Sequence, residues 1–125
     1  MLELVTVVAI LGILLGLALP SYQNYMLRVN RSEAISLLLE IAGCQERMFA
    51  VKGRYDTTRC LPEGAEHFSI RMEPPGEQQT LAFSAWADPV GAQGRDPCGS
   101  LGLDQSGLRQ VTGDGADAGK CWGGK

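Results

Sequence analysis

A single carboxylate, Glu3, stands at the start of an apolar segment that runs from Leu4 to Leu19 without a charged residue. Burying a lone charged side chain at the centre of a membrane helix costs about 2.5–3.5 kcal/mol on insertion scales, so such a group usually has a partner and a function. The chemistry that this position predicts is therefore ionic pairing inside an apolar environment.

The four cysteines, Cys44, Cys60, Cys98 and Cys121, are the next candidates for chemistry. No two of them form a Cys-x-x-Cys pair and His67 is the only histidine, so their spacing does not indicate a zinc site. An even number of cysteines on an exported domain instead indicates two disulfide bonds, for which three pairings exist.

Other residues that could bind a metal or catalyse a reaction form no recognisable set. Asp114 and Asp117, with Gly113 and Gly115 beside them, are too few and too close together for a full oxygen cage around calcium. No glycine-rich phosphate loop follows a strand, and no nucleophile elbow is present. We therefore expect no metal, no cofactor and no enzymatic activity.

The apolar segment that carries Glu3 is long enough to act as a membrane stem. As a helix, residues 4–19 measure about 24 Å, just short of a hydrocarbon core of about 30 Å. Continuing the helix through Tyr22 and Tyr25 completes the span and places both phenols near the headgroups. A signal peptide explains the segment less well, because no Lys or Arg precedes the apolar run and no small-x-small cleavage site follows it. A plain single-pass anchor is the alternative, but it gives Glu3 no role.

Three residues weaken the stem helix. Pro20 removes one backbone hydrogen bond, and Gly12 and Gly16 each cost about 1 kcal/mol relative to Ala. We expect this segment to bend and to melt when its apolar surroundings change. Alternatively, the glycines serve close helix packing, as small residues do in membranes.

Beyond Pro20 the helical pattern becomes amphipathic. Two overlapping stripes have helical spacing: Leu37, Ile41, Cys44 and Met48, and Ala34, Leu38, Ile41, Gln45 and Met48. The charged residues expected on the opposite, solvent-facing side are Arg31, Glu33, Glu40, Glu46 and Arg47. Gly53 is a candidate C-cap, so the helix is predicted to end near residues 50–52.

Four short strands are predicted after the helix. Residues 68–72 and 81–86 alternate in hydrophobicity, and residues 101–103 and 108–111 form a hairpin with Gly107 at a left-handed position. Four antiparallel strands against one helix predict an α+β fold. We divide the chain into a stem, residues 1–25, and a head, residues 26–125, in which the helix reaches about residue 52, a loop spans 53–66, and the sheet and C-terminal region span 67–125.

The stem resembles the N-terminal segment of mature type IV pilins. The residues that carry this resemblance are Leu2-Glu3-Leu4, Val7-Val8-Ala9-Ile10-Leu11-Gly12-Ile13-Leu14 and Ala18-Leu19-Pro20-Ser21-Tyr22. Residues 91–99 and 101–107 are more loosely similar to the C-terminal half of small pilins. Mature members begin two residues earlier, with an N-methylated Phe, so the resemblance implies that two residues precede Met1.

The resemblance implies the pilin fold and a structural role in an extracellular type IV pilus. The subunit would wait in the inner membrane of a Gram-negative-like bacterium and be polymerised by the pilus assembly machinery into a homo-oligomeric filament. Glu3 would pair with the α-amino group of a neighbouring stem and set the register. In assembled filaments of similar pilins, the helix between the glycine and the proline is commonly unwound. The expected stem contacts are Glu3, Met1, Leu4, Val7, Ile10 and Leu14.

Two further expectations combine the residues with the resemblance. Of the three cysteine pairings we favour Cys44–Cys60 and Cys98–Cys121, which join sequence neighbours; similar pilins that end in Cys-Trp, as Cys121-Trp122 does here, support the second bridge. Secretion pseudopilins of similar plan bind calcium near residues 113–117, which keeps a metal there as an alternative.

The partner and end use of such a filament subunit are less determined by the residues. The net charge is −3, without the basic clustering of a nucleic-acid groove. Lys52, Arg54 and Arg59 form a loose basic group that we interpret as solvated surface, so nucleic acid is not expected as a partner. Acidic residues lie among them: Asp56, Glu63 and Glu66. The alternatives are a minor pilin or pseudopilin that primes or decorates a filament, and a membrane-tethered DNA receptor of competence. Adhesion and twitching motility are not ranked by the sequence.

Overall fold

The computed structural model describes residues 1–63, 65–76 and 80–123 and has the predicted α+β architecture. A long helix packs against one face of a four-stranded antiparallel sheet of order β1-β2-β3-β4. The elements are α1 (Leu2–Lys52), β1 (Phe68–Glu73), β2 (Ser84–Pro89), a 3-10 helix (Gly91–Arg95), β3 (Leu101–Asp104), β4 (Arg109–Val111) and α2 (Ala118–Cys121).

Helix α1 ends where its C-cap glycine predicts. Gly53 adopts a left-handed conformation with φ 71°, and its backbone N–H donates to the carbonyl of Phe49 at 2.8 Å. The helix is continuous through Gly12, Gly16 and Pro20 in this isolated subunit. Melting of that segment therefore stays a prediction for the assembled state.

The core lies between the C-terminal half of α1 and the sheet. Of the two candidate stripes, the one through Ala34, Leu38 and Ile41 is fully buried. The sheet contributes the residues that alternate toward the helix: Phe68, Met72, Ala85, Ala87, Leu101 and Leu103. Burial of this apolar surface is what attaches the stem-bearing helix rigidly to the head.

The predicted position of the second strand is wrong by three residues. The strand begins at Ser84 rather than at Leu81, which is 75% exposed. Before it, Thr80 makes an isolated backbone bridge to Tyr55, and the Thr80 hydroxyl donates to the carbonyl of Ala82 at 2.9 Å. This local turn delays pairing with β1 until Ser84, which faces Glu73.

The predicted β3–β4 hairpin is present, with its fourth strand beginning at Arg109 rather than Leu108. Gly107 has φ 83°, a left-handed conformation that glycine adopts without steric cost. The Asp104 carboxylate accepts backbone hydrogen bonds from Ser106 and Leu108, both at 2.9 Å. The carboxylate and the glycine together fix this turn.

Two disulfide bonds close the head, and both join cysteines that are neighbours in sequence. Cys44–Cys60 ties α1 to the following loop, and Cys98–Cys121 ties the segment before β3 to α2. The C-terminal region also packs backbone against backbone, because a Cβ built on Gly113 would lie 1.8 Å from the carbonyl oxygen of Pro97. Only glycine fits at that position.

Candidate functional site: the exposed stem and its junction with the head

The N-terminal part of α1 has no cover within the molecule. All of residues 1–25 are exposed, and an 18-residue window of α1 with mean hydropathy 2.6 has none of its residues buried. By length and composition, α1 is the one helix among the described residues that could cross a membrane. Because exposed apolar surface of this extent is unstable in water, lipid or another protein must cover it.

Glu3 projects from this exposed surface. Neither a hydrogen bond nor an ion pair joins its carboxylate to another described residue. The five apolar residues expected to contact neighbouring stems are also exposed: Met1, Leu4, Val7, Ile10 and Leu14. Their role in assembly stays a prediction.

An ion pair holds the head against α1 where the stem ends. Arg31 donates to both carboxylate oxygens of Asp96, each at 2.9 Å, and the two side chains are 13% and 1% exposed. Planar guanidinium and carboxylate groups match in this bidentate geometry. The backbone N–H of Cys98 donates to the same carboxylate at 3.0 Å, so the pair also fixes the start of the segment closed by the second disulfide.

Gln93 completes this junction and is 1% exposed. Its amide nitrogen donates to the carbonyl of Leu27 at 3.0 Å and to Asp96 at 3.1 Å, while its amide oxygen accepts from Asn30 at 3.1 Å. These bonds attach the 3-10 helix to α1. Because every buried polar group here has a partner, the junction is rigid.

The junction corrects one sequence-based expectation. Arg31 was expected on the solvent-facing side of α1, yet it is largely buried by Asp96. Glu33, expected on the same side, is partly covered and lies 3.2 Å from the Nδ1 atom of His67. No short-range signal marks these two contacts, because His67 is 34 residues from Glu33 in sequence and Asp96 is 65 residues from Arg31.

The loose basic group, Lys52, Arg54 and Arg59, lies at the C-terminal end of α1 and in the loop that follows it. Lys52 and Arg54 are exposed and make no ion pair with a described residue, whereas Arg59 lies 3.5 Å from Asp56. A hydrogen bond from the Thr58 hydroxyl holds the pKa of Asp56 below its usual value, so this acid is charged at neutral pH. The group keeps a surplus of positive charge from its two unpaired cations.

Among the described residues, no cluster of three or more His, Cys, Asp or Glu side chains is placed to hold a metal ion. The side chain of Asp117, one of the two acids considered for calcium, caps α2 by accepting from the backbone N–H of Lys120 at 3.0 Å. His67, the only histidine, is engaged by Glu33.

Comparison with known proteins agrees with the fold. Residues 20–102 match a family model described as type IV minor pilin ComP, DNA uptake sequence receptor. Over 53 residues, or 42% of the chain, the sequence is 42% identical to fimbrial protein EcpC of Eikenella corrodens. Over 37 residues, or 30% of the chain, it is 51% identical to a fimbrial protein of Moraxella nonliquefaciens. These matches span only 35% and 24% of the two relatives.

Two solved structures share the fold over most of the chain. A type IV pilin from Shewanella oneidensis is 30% identical, with a TM-score of 0.56, over 66% of this chain and 89% of that one. The minor pilin PilV of Neisseria meningitidis is 24% identical, with a TM-score of 0.59, over 76% of this chain and 95% of that one. The second likeness is evidence for the fold alone.

Proposed function

The chain belongs to the type IV pilin family, and we propose on that premise that it is a subunit of a type IV pilus, inserted through its N-terminal stem. The family and its fold are structural rather than enzymatic. The observation that carries the proposal is the stem itself, residues 1–25, which is apolar and wholly exposed. Before assembly the inner membrane covers it, and in the pilus the stems of neighbouring subunits cover it.

Transfer from lipid to a bundle of stems exchanges one apolar environment for another. Close packing and polar pairing, rather than the hydrophobic effect, must therefore favour the assembled state. Glu3 supplies the polar term when it meets the α-amino group of a neighbouring stem, a group with an unperturbed pKa near 8 that is cationic at neutral pH. An unpaired buried carboxylate costs several kcal/mol, so only the register that pairs Glu3 is populated.

The test is replacement of Glu3 by Ala or Leu in the full chain. Either variant is expected to fractionate with the inner membrane as the parent does, while its amount in sheared surface filaments falls at least tenfold. Glu40→Gln, a change of an exposed acid on the head, is the matched control and should leave both amounts unchanged.

Glu3→Gln separates a buried role from a hydrated one. A carboxylate that stays hydrated at the headgroup boundary tolerates the amide at no cost. A carboxylate that must pair with a cation inside the bundle does not, so this variant should also be lost from filaments. Normal filaments containing Glu3→Ala or Glu3→Leu would refute the register role.

A DNA receptor carried by the pilus is the second candidate function. The matching family model is that of a minor pilin described as a DNA uptake sequence receptor. In this chain the surface best suited to phosphate contact is the basic group of Lys52, Arg54 and Arg59, in which two of three cations lack an ion pair to described residues. A main structural subunit and a minor subunit would use the same stem. The abundance of this chain in sheared filaments distinguishes these two roles.

Binding of duplex DNA by the full chain in detergent tests this candidate. Three phosphate contacts predict that log K falls with log salt with a slope of about −2.7. Replacing Lys52 and Arg54 together by Gln should reduce the slope to about −0.9, whereas Lys120→Gln, at an exposed cation near the C-terminus, should not change it. Binding that is undetectable at low salt removes DNA as a partner of this subunit.

A further inference from the structure

A cavity of about 370 Å³ lies where the stem meets the head. Residues 22–30 of α1 form one wall, the 3-10 helix forms another, and His67 contributes from the segment before β1. The lining is mixed: Leu27 and Met26 present apolar surface, and Asn24, Gln93 and Arg95 present polar groups. A cavity of this volume accommodates a small organic group rather than a single water molecule.

The charge of the cavity favours an anion. Arg95 is exposed and has no ion pair with any described residue, and His67 lies in the same lining. No Asp or Glu is found among the described residues that line it. Asp96, next to Arg95 in sequence, is engaged by Arg31, and Glu33 is engaged by His67. The guanidinium of Arg95 is therefore uncompensated at a rigid polar surface.

Gln93 fixes the wall of the cavity that the 3-10 helix forms. Its side-chain hydrogen bonds to Leu27, Asn30 and Asp96 hold the backbone of the 3-10 helix, which ends at Arg95, against α1. An arginine on a fixed backbone loses less conformational entropy on binding than one on a mobile loop. Its fork of N–H donors matches the oxygens of a phosphate group.

The position of the cavity along α1 indicates which class of molecule carries the anion. From Leu4 to Tyr22, the first lining residue, α1 rises about 27 Å, close to the thickness of a hydrocarbon core of about 30 Å. When the stem lies in the bilayer, the cavity therefore sits in the headgroup layer. Tyr22, at its lower edge, is the residue type that concentrates at this interface.

We propose that this cavity binds the phosphate diester of a membrane phospholipid while the subunit waits for assembly. Arg95 contacts the phosphate oxygens, Asn24 donates a further hydrogen bond, and Tyr22, at the membrane side of the cavity, contacts the glycerol and the first methylenes. A bound lipid fixes the height of the head above the membrane and leaves when the stem enters the filament. This inference rests on the proposed function for the location of the stem in a bilayer.

A free phosphate ion offers the same oxygens but lacks the glycerol and methylenes that contact Tyr22, so binding of a lipid can be distinguished from binding of a soluble anion. The experiment is native mass spectrometry of the full chain, delipidated in detergent and then given one probe at a time. The probes are phosphatidylglycerol, diacylglycerol, which lacks the phosphate, and inorganic phosphate. The variants are Arg95→Gln and, as matched control, Arg47→Gln, which removes an exposed arginine of α1 remote from the cavity lining.

We expect one phosphatidylglycerol to be retained per chain, with diacylglycerol retained at least about tenfold more weakly, since a charge-assisted hydrogen bond contributes about that factor. Arg95→Gln should weaken phosphatidylglycerol binding by about tenfold, and Arg47→Gln should not. Equal retention of diacylglycerol, or no effect of Arg95→Gln, overturns the proposal. Displacement of the lipid by millimolar phosphate or by duplex DNA overturns it in favour of a soluble anion or of DNA.

The outcome is independent of the filament test. If Glu3→Ala abolishes incorporation into pili while Arg95→Gln leaves lipid binding unchanged, the lipid site alone fails. If Glu3→Ala filaments are normal while lipid is retained through Arg95, the register role fails and the cavity assignment stands.

Discussion

The buried carboxylate of Asp96 joins three parts of the molecule: α1, the 3-10 helix and the segment before β3. Its two oxygens accept from Arg31, from Gln93 and from the backbone N–H of Cys98. A buried carboxylate is tolerable only with such partners, because the loss of hydration on burial costs several kcal/mol. The same arrangement holds the 3-10 helix of the head against α1.

Asp96→Ala is therefore expected to destabilise the head by about 3 kcal/mol, at the lower end of the range for breaking a buried pair because Arg31 keeps some exposure. Asp96→Asn should cost less, since the amide oxygen still accepts hydrogen bonds while the ion pair is lost. The measurement is the free energy of unfolding of the full chain in detergent, from denaturant titration.

Asp114→Ala is the matched control for this prediction. Asp114 is exposed, so its removal should change the free energy of unfolding by no more than about 0.5 kcal/mol. A loss at Asp96 as small as that at Asp114 would mean that the ion pair positions the head without stabilising it.

At the scale of elements, the β3–β4 hairpin shows how one side chain specifies a turn. Asp104 ends β3, its carboxylate accepts from the Ser106 hydroxyl at 2.6 Å and from two backbone N–H groups, and Gly107 supplies the left-handed residue. The hydrogen bond from Ser106 holds the pKa of Asp104 below its usual value of 3.8. The turn is thus stabilised most when the carboxylate is charged.

The pH dependence of the turn's stability follows from the lowered pKa of Asp104. Because the folded pKa of Asp104 lies below the unfolded value, its contribution is complete above about pH 4 and is lost as the pH falls through the folded pKa. Asp104→Asn should lower the free energy of unfolding by less than about 1 kcal/mol at neutral pH, since the group is partly exposed. The difference between variant and parent should shrink as the pH falls below 3.8 and through the folded pKa.

Denaturant titrations of both proteins at neutral pH and at a pH well below 3.8 measure this difference in the free energy of unfolding. Asp114→Asn is the control for general charge effects. A difference that stays constant between neutral and acidic pH would show that Asp104 acts through shape alone.

The elements also show what the sequence can and cannot predict. Helix α1 and its end at Gly53 follow from local periodicity and a local cap, and β1 follows from strict alternation. The start of β2 was misplaced because it depends on the bridge between Tyr55 and Thr80, which are distant in sequence.

The junction with the head was missed for the same physical reason. Asn30 and Gln93 are 63 residues apart, and Arg31 and Asp96 are 65 apart. Each residue alone matches an ordinary solvent-facing position, and only the packing of the 3-10 helix on α1 reveals the pairing. The stem was predictable, since its chemistry depends on one uninterrupted stretch of residues.

At the scale of the whole molecule, α1 combines an exposed apolar stem with a half that packs on the sheet, in one continuous helix. The buried core of the head begins at Ala34, and residues 1–25 make no contribution to it. The hydrogen bonds of the junction begin at the carbonyl of Leu27. The stem and the head are therefore energetically separate, although no break in the helix divides them.

A chain that begins at residue 26 tests this separation. It keeps the core, the junction and both disulfides, so it should be monomeric without detergent and unfold within about 1 kcal/mol of the full chain, since fraying of a new helix end costs little. It should neither float with lipid vesicles nor enter filaments, because the only extensive uncovered apolar surface of the described residues has been removed. Sedimentation, vesicle flotation and denaturant titration measure the three properties.

Aggregation of this shorter chain, or a large loss of stability, would mean that the stem takes part in folding the head. Binding of the shorter chain to vesicles would place a second membrane surface on the head itself.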